Sequence, residues 1–406
     1  MPETSTSSRA AGRARARAPR LTAVLREEER VTPLELFFDL VFVLALTQCT
    51  ALMAAQPTWQ GLCKGLLVLA LMWWTWVGYA WLTSVVNPEE GIVRLAMFAA
   101  MAAVLVASLC IPEAFDSSAL LFAAAYAAVR AAHIVLFLTA ARDNPTLRRP
   151  VLFLGLSTSA GVALIVLSSA FDGLVQGGIW AVALALDYLG PYVGRAEGWT
   201  LVPGHFAERH ALIVIVALGE SIVAIGVGAQ VGVDGGVVAA AVLGIAVAAT
   251  LWWLYFDVVA LVAAHHLARA TEGRERNEMA RDSYSYLHLL MIAGIVLIAL
   301  GMKKTLAGVD EPLEPVPALA LYGGTVLYLL GHLAFRLRNV HTINKQRLAA
   351  ALLLIGLGPF AIAIPALAAV AILAAVLVTL VAYETLRFAD ARERVRHELE
   401  HEPLPG

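Results

Sequence analysis

The sequence predicts an all-α polytopic membrane protein of about twelve transmembrane helices, arranged as two parallel six-helix repeats. Three observations predict it. Hydrophobic residues make up 60% of the 406 positions and charged residues 15%. With a mean hydropathy of +0.76, the chain is far too apolar for a soluble domain. Apolar runs of about 20 residues, the length that crosses a bilayer, follow one another along it. Lysine and arginine gather in alternate connections, as the positive-inside rule demands of a multi-pass protein.

Residues 1–30 differ from the rest. "RAAGRARARAPR" is basic with no apolar face to bury, so it reads as a disordered arm. The first long apolar run follows "REEERVTP" without a signal-peptide pattern and is expected to be retained. Helices are then expected at 34–55, 61–86, 92–111, 117–141, 149–171, 175–193, 207–230, 236–264, 281–301, 317–337, 346–364 and 366–388. Only Pro365 divides the last two. With the N-terminus inside, Arg142 to Arg149, Arg195 to Arg209, Arg269 to Arg281, Arg336 to Arg347 and the tail beyond Arg387 all fall on the inner side. Lys64, Lys303 and Lys304 are the outward exceptions. Both termini are therefore expected in the cytoplasm.

The duplication rests on an internal echo. "LELFFDLVFVLALTQ" at 34 lines up with "AERHALIVIVALGES" at 207, which sets Glu35 against Glu208. "WWTWVGY" at 73 answers "WWLYFD" at 252, "AYAAVRAAH" at 125 answers "LYLLGHLAFR" at 327, and "LDYLG" at 186 answers "AYETL" at 382. Order is kept throughout. An even number of spans per copy makes the copies parallel. The organisation expected is a first repeat over 31–194, a linker over 195–206, a second repeat over 207–388 and a charged tail over 389–406.

Several chemistries leave no trace. Cys49, Cys63 and Cys110 lie in or beside apolar runs without metal spacing, and adjacent His265 and His266 cannot share a helix face. Neither a metal nor a cofactor is expected. The chain has no GxSxG, P-loop or HExxH motif, so no enzyme is expected. The expected partners are the lipid bilayer and a monovalent cation or proton, with self-association left open and no nucleic acid.

The candidate residues are acids inside apolar helices. Thr32, Pro33 and Glu35 form an N-cap, first-turn proline and capping box, which gives Glu35 a structural reading. Asp39 lies roughly 6 Å deeper, at 1.5 Å per residue. A charge at the centre of a span costs about 3 kcal/mol on the insertion scale. Asp39 is therefore expected to be protonated, paired with an arginine, or facing water or a cation. Glu220 sits about 18 Å along its helix from Glu208, near the midplane, where Gly219, Ser221, Gly226 and Gly228 allow close helix approach. Arg130, with Tyr126 and His133 on its face, must find an acid, and Asp39 or Asp187 can supply it. Arg281, His288, His332 and Arg336 occupy comparable places in the second copy, and Asp257 is a further intramembrane acid.

"RVTPLELFFDLVFVLALTQ", followed much later by "HFAERHALIVIVALGESIV", resembles the bacterial low temperature requirement A family from about Val31 to Ala389. The resemblance implies a multi-pass inner-membrane protein associated with growth in the cold. "ELFFDLVF" is also similar to the opening helix of the endosomal and lysosomal potassium channels. That likeness carries Glu35, Phe37, Asp39, Val41 and Phe42, and fails at Phe38 and Leu40. The function expected is a cation or proton channel or transporter, with Asp39, Glu220, Glu35 and Glu208 as the ion-site residues. The alternative is a structural, stress-adaptive membrane protein whose acids only lock helices together. A lipid enzyme around "RDSYSYLHLL" at 281 is a third reading.

Overall fold

The computed structural model describes residues 30–89, 91–142, 144–193, 198–229, 232 and 234–401. The expected basic arm, apart from Arg30, lies outside them, as do part of the linker and the last residues of the tail. Among the described residues, twelve helices are long and apolar enough to cross a membrane: α1 (Pro33–Ala55), α2 (Trp59–Val85), α3 (Gly91–Glu113), α4 (Ala119–Ala140), α5 (Pro145–Ser168), α6 (Gly173–Val193), α7 (Pro203–Gly228), α8 (Gly235–Arg269), α9 (Arg274–Ala307), α10 (Pro315–Val340), α11 (Lys345–Ile362) and α12 (Ala366–Arg387). A polar helix, α13 (Ala389–His401), follows. The chain is a multi-pass helical membrane protein.

Residue order explains the packing of α1. Leu34, Glu35, Phe38, Asp39, Phe42 and Leu46 share one buried face. Leu36, Phe37 and Leu40 stay exposed on the other, as suits a lipid-facing surface. Two boundaries differ from expectation in ways that matter. α7 starts at Pro203 rather than 207, because proline is suited to a first helical turn. That early start brings His205 into the helix, one turn ahead of Arg209. α9 starts at Arg274 rather than 281, running through a π-helical segment, Ala280–Leu287, into the straight helix. α8 breaks at Asp257 and Val258 before continuing from Val259.

Within the first six helices α1 packs on α2 and α3, and within the second six α7 packs on α8 and α9. The halves meet where α1 lies against α7 and α9.

The tightest pair is α9 and α10, and glycine makes it so. A Cβ on Gly294 would stand 2.6 Å from the Gly324 carbonyl oxygen, and one on Gly301 would stand 2.6 Å from Leu321 Cβ. Gly324 and Gly331 reciprocate from α10. Small residues let backbones touch in this way, where lipid supplies no hydrophobic drive to pack helices. Gly294→Val is expected to destabilise the protein by about 1–3 kcal/mol through overpacking, as read by thermal unfolding in detergent. Gly219→Ala, whose Cβ meets nothing within 4 Å, is expected to leave the melting temperature unchanged.

Candidate functional site

The acids of α1 are buried and answered by bases of α7. Glu35 is fully buried and Asp39 is 1% exposed. At the helix start Thr32 and Glu35 complete the predicted capping box in both directions. Glu35 Oε1 also accepts from Arg209 Nη1 at 3.0 Å and from His205 Nε2 at 2.9 Å. Asp39 Oδ1 accepts from Arg209 Nη2 at 2.9 Å and from the Trp76 indole at 2.7 Å. Thr83 accepts a further bond from Arg209, and Ser84 meets His205 Nδ1 at 3.2 Å. Two carboxylates thus share one guanidinium, with α2 supplying polar groups around them. A buried charge is tolerated when paired and hydrogen-bonded, and this cluster supplies both.

The register of this cluster is regular. Glu35 and His205 are 170 positions apart, and so are Asp39 and Arg209. Pro33 and Pro203, which open the two helices, share that separation. Contacts that advance together along both helices require α1 and α7 to run in the same direction. Glu208, set against Glu35 by the sequence echo, is exposed and accepts from the Val31 backbone N–H at 3.0 Å. It ties down the start of α1 and stands apart from the buried cluster.

Deeper between the same helices, Glu220 is 1% exposed. Its carboxylate accepts a hydrogen bond from the Thr47 hydroxyl of α1, and Lys303 of α9 acts on it through space. Among the described residues no base lies within ion-pair distance of it. Of the three glycines expected to bring helices close, Gly228 does so, against Lys303 and Leu306, while Gly219 and Gly226 face open space; Ser221, the fourth small residue, is buried.

The other candidates fall into separate places. Arg130 pairs with Asp187, one of its two expected acids, at 3.4 Å. Its closest bond is to Thr158 at 2.8 Å, and His133 Nε2 donates to the Gly78 carbonyl at 3.0 Å. Arg281 bonds Asp282 and stacks on Tyr192 at 4.0 Å. Asp257, at the break in α8, is held by Arg392 of α13. Arg347, which the sequence reading passed over, grips Glu384 through two bonds of 3.1 and 3.0 Å and donates to His332 Nδ1 at 3.1 Å. Between the Arg209 and Arg347 clusters runs a buried column of rings. His210 stands edge-on to Trp76, at 4.9 Å between ring centroids, and 5.4 Å from His288. The Tyr255 hydroxyl donates to His288 Nε2 at 2.8 Å, and the Tyr255 ring lies 5.8 Å from His332. His210 Nε2, the Tyr284 hydroxyl and His332 Nε2 are buried without a hydrogen-bond partner. No group of three or more potential ligands for a metal ion occurs among the described residues.

The model for the bacterial low temperature requirement A protein matches residues 30–382, so it covers α1, α7 and nearly all of the bundle. The chain belongs to the bacterial low temperature requirement A family. An uncharacterised protein of Rhizobium meliloti (strain 1021), RA0937, is 31% identical over 316 residues, covering 73% of this chain and 75% of that one. No solved structure matches. Membership of this low temperature requirement A family agrees with the twelve spans and leaves the chemistry to the site itself. The sequence reading missed His205 because it began α7 too late, and it held Arg209 and His210 inside its helix at 207–230 without assigning either a buried partner. Spacing alone would have found His205 and Arg209: Pro33, Glu35 and Asp39 on α1 match Pro203, His205 and Arg209 on α7, base for acid.

Proposed function

We propose that this member of the low temperature requirement A family is a proton- or cation-coupled membrane transporter in which Glu220 takes up and releases the ion. In this reading Glu35, Asp39, His205 and Arg209 form the joint that holds α1 against α7. The observation that carries it is the Glu220 carboxylate, 1% exposed, with a hydroxyl and no base within ion-pair distance. An acid in that setting is stable when protonated or when a cation sits beside it, and exchange between those forms is what coupling needs. The buried histidine and tyrosine column offers protons groups to move along. The same reading places the protein in the bacterial inner membrane with both termini cytoplasmic, built as a duplicated six-helix unit without enzymatic activity.

Proteoliposomes of the full chain, with a pH-sensitive dye or a cation indicator inside, test the reading. Wild type is expected to carry a flux that Glu220→Gln abolishes while the melting temperature holds. Undiminished flux through Glu220→Gln would remove Glu220 from the mechanism.

A second reading, a stress-adaptive scaffold, is favoured by the pairing of Arg130, Arg209 and Arg347 with Asp187, Asp39 and Glu384. It predicts no flux from wild type in any gradient, together with variants that alter only stability.

A further inference from the structure

A cavity separate from the Arg209 cluster lies between the two halves of the bundle. Trp74 and Trp81 of α2, Arg130, His133 and Phe137 of α4, and Trp199 ahead of α7 line one part of it. Asn277, Arg281 and Ser285, from the start of α9, line the other. The π-helical segment Ala280–Leu287 shapes this wall. The Ser285 carbonyl oxygen accepts from the Trp73 indole at 2.8 Å, and the Ser285 hydroxyl accepts from Trp81 at 3.0 Å. A π-turn inside an α-helix often marks a functional site, and here it fixes a tryptophan of the wall.

Two buried nitrogens at this cavity have no partner. Arg130 and His133 are each 1% exposed, and Arg130 Nε and His133 Nδ1 make no hydrogen bond. The ion pair of Arg130 is also slack. It reaches the two Asp187 oxygens at 3.4 and 3.5 Å, where a charge-assisted bond closes to about 2.7–2.9 Å. The two arginines that line the cavity, Arg130 and Arg281, pair with Asp187 and Asp282, neither of which lines it. An unsatisfied guanidinium nitrogen in a water-poor site is costly, and an anion relieves it.

We propose that this cavity binds a small monocarboxylate together with one proton. One oxygen accepts from Arg130 Nε, the proton bridges the other oxygen and His133 Nδ1, whose Nε2 already donates to Gly78, and the alkyl group lies against Trp74, Trp81 and Trp199. Size and lining select the ligand class. The cavity volume is about 60 Å³, room for roughly four waters at ~15 Å³ of such space each, and acetate has four heavy atoms. Apolar walls with a few convergent polar groups are the usual make-up of a small-molecule site. Phosphate carries more charge and no apolar part to set against tryptophan. This site is independent of the transport reading, because binding can be measured without flux.

The test uses the full chain in detergent micelles, with sodium acetate titrated against sodium chloride at matched ionic strength. Tryptophan fluorescence and melting temperature report occupancy. Wild type is expected to give a saturable acetate response that chloride does not. Gly78→Ala should weaken it at least about tenfold, because the new Cβ would stand 2.9 Å from His133 Cε1 and 3.3 Å from Arg130 Nη1. Arg130→Lys keeps the charge and removes the Nε donor, so it should weaken binding comparably, and it carries the comparison if Gly78→Ala fails to fold. No saturable response in wild type, an equal response to chloride, tighter binding of inorganic phosphate, or wild-type affinity in Arg130→Lys would each overturn the proposal.

Discussion

Arg209→Met is expected to destabilise the protein by about 3–5 kcal/mol, the range seen when one member of a buried ion pair is removed. Arg209 is fully buried and bonds both Glu35 and Asp39. Without it two carboxylates remain out of water and lose their shared arginine, Asp39 keeping the Trp76 indole and Glu35 keeping His205 and its capping-box bonds. Asp39 Oδ2 already lacks a partner, so little reserve exists to absorb the loss. Asp39→Asn should cost less, because Arg209 keeps Glu35 and asparagine still accepts from Trp76. The double variant should be more stable than the two single losses added together, because Asp39→Asn removes one of the acids that Arg209→Met strands. Unfolding of all four proteins by a denaturing detergent supplies the cycle. Strict additivity would mean that the pair contributes no mutual energy, and the joint between α1 and α7 would have to come from packing alone.

How much of this arrangement a reader of the sequence can recover depends on how local its cause is. The twelve spans follow from runs of apolar residues, each legible within its own segment. The capping box of Thr32 and Glu35 is equally local, and so is the role of Pro365, which precedes α12 as its N-cap. Arg130 was bound to seek an acid because it lies mid-span, which left Asp39 and Asp187 to choose between. Geometry chose Asp187, since α4, α5 and α6 pack consecutively while α1 turns its acids toward α7. Arg209 was hidden for a different reason. It sits within two turns of a helix start, where a base ordinarily looks interfacial. Only the position of α7 across from α1 makes it a buried counter-ion. The π-helical stretch of α9 was illegible too, because "RDSYSYL" reads as the polar lead into a span. The glycine contact of α9 with α10 needs two distant segments to be seen at once.

Glu384→Ala tests the counterpart cluster in the second half, and its expected cost is about 2–3 kcal/mol, below that of Arg209→Met. Removing Glu384 strips Arg347 of two bonds and leaves it those to the Leu254 carbonyl and His332. In a sealed interior that would match the loss at Arg209. Arg347 is not sealed, however. It is 7% exposed and lines a cavity of about 450 Å³ that also meets Arg336, Asn339, Asn344 and Arg392. Water in a space of that size and polarity can solvate the orphaned guanidinium. Neither this cavity nor the one beneath Trp74 is lined by Arg209, so the first-half cluster has no such relief there. Parallel unfolding of Glu384→Ala and Arg209→Met, each against wild type, checks the order. Equal losses would mean that water does not enter the larger cavity, and a greater loss for Glu384→Ala would make Arg347 the more deeply committed of the two bases.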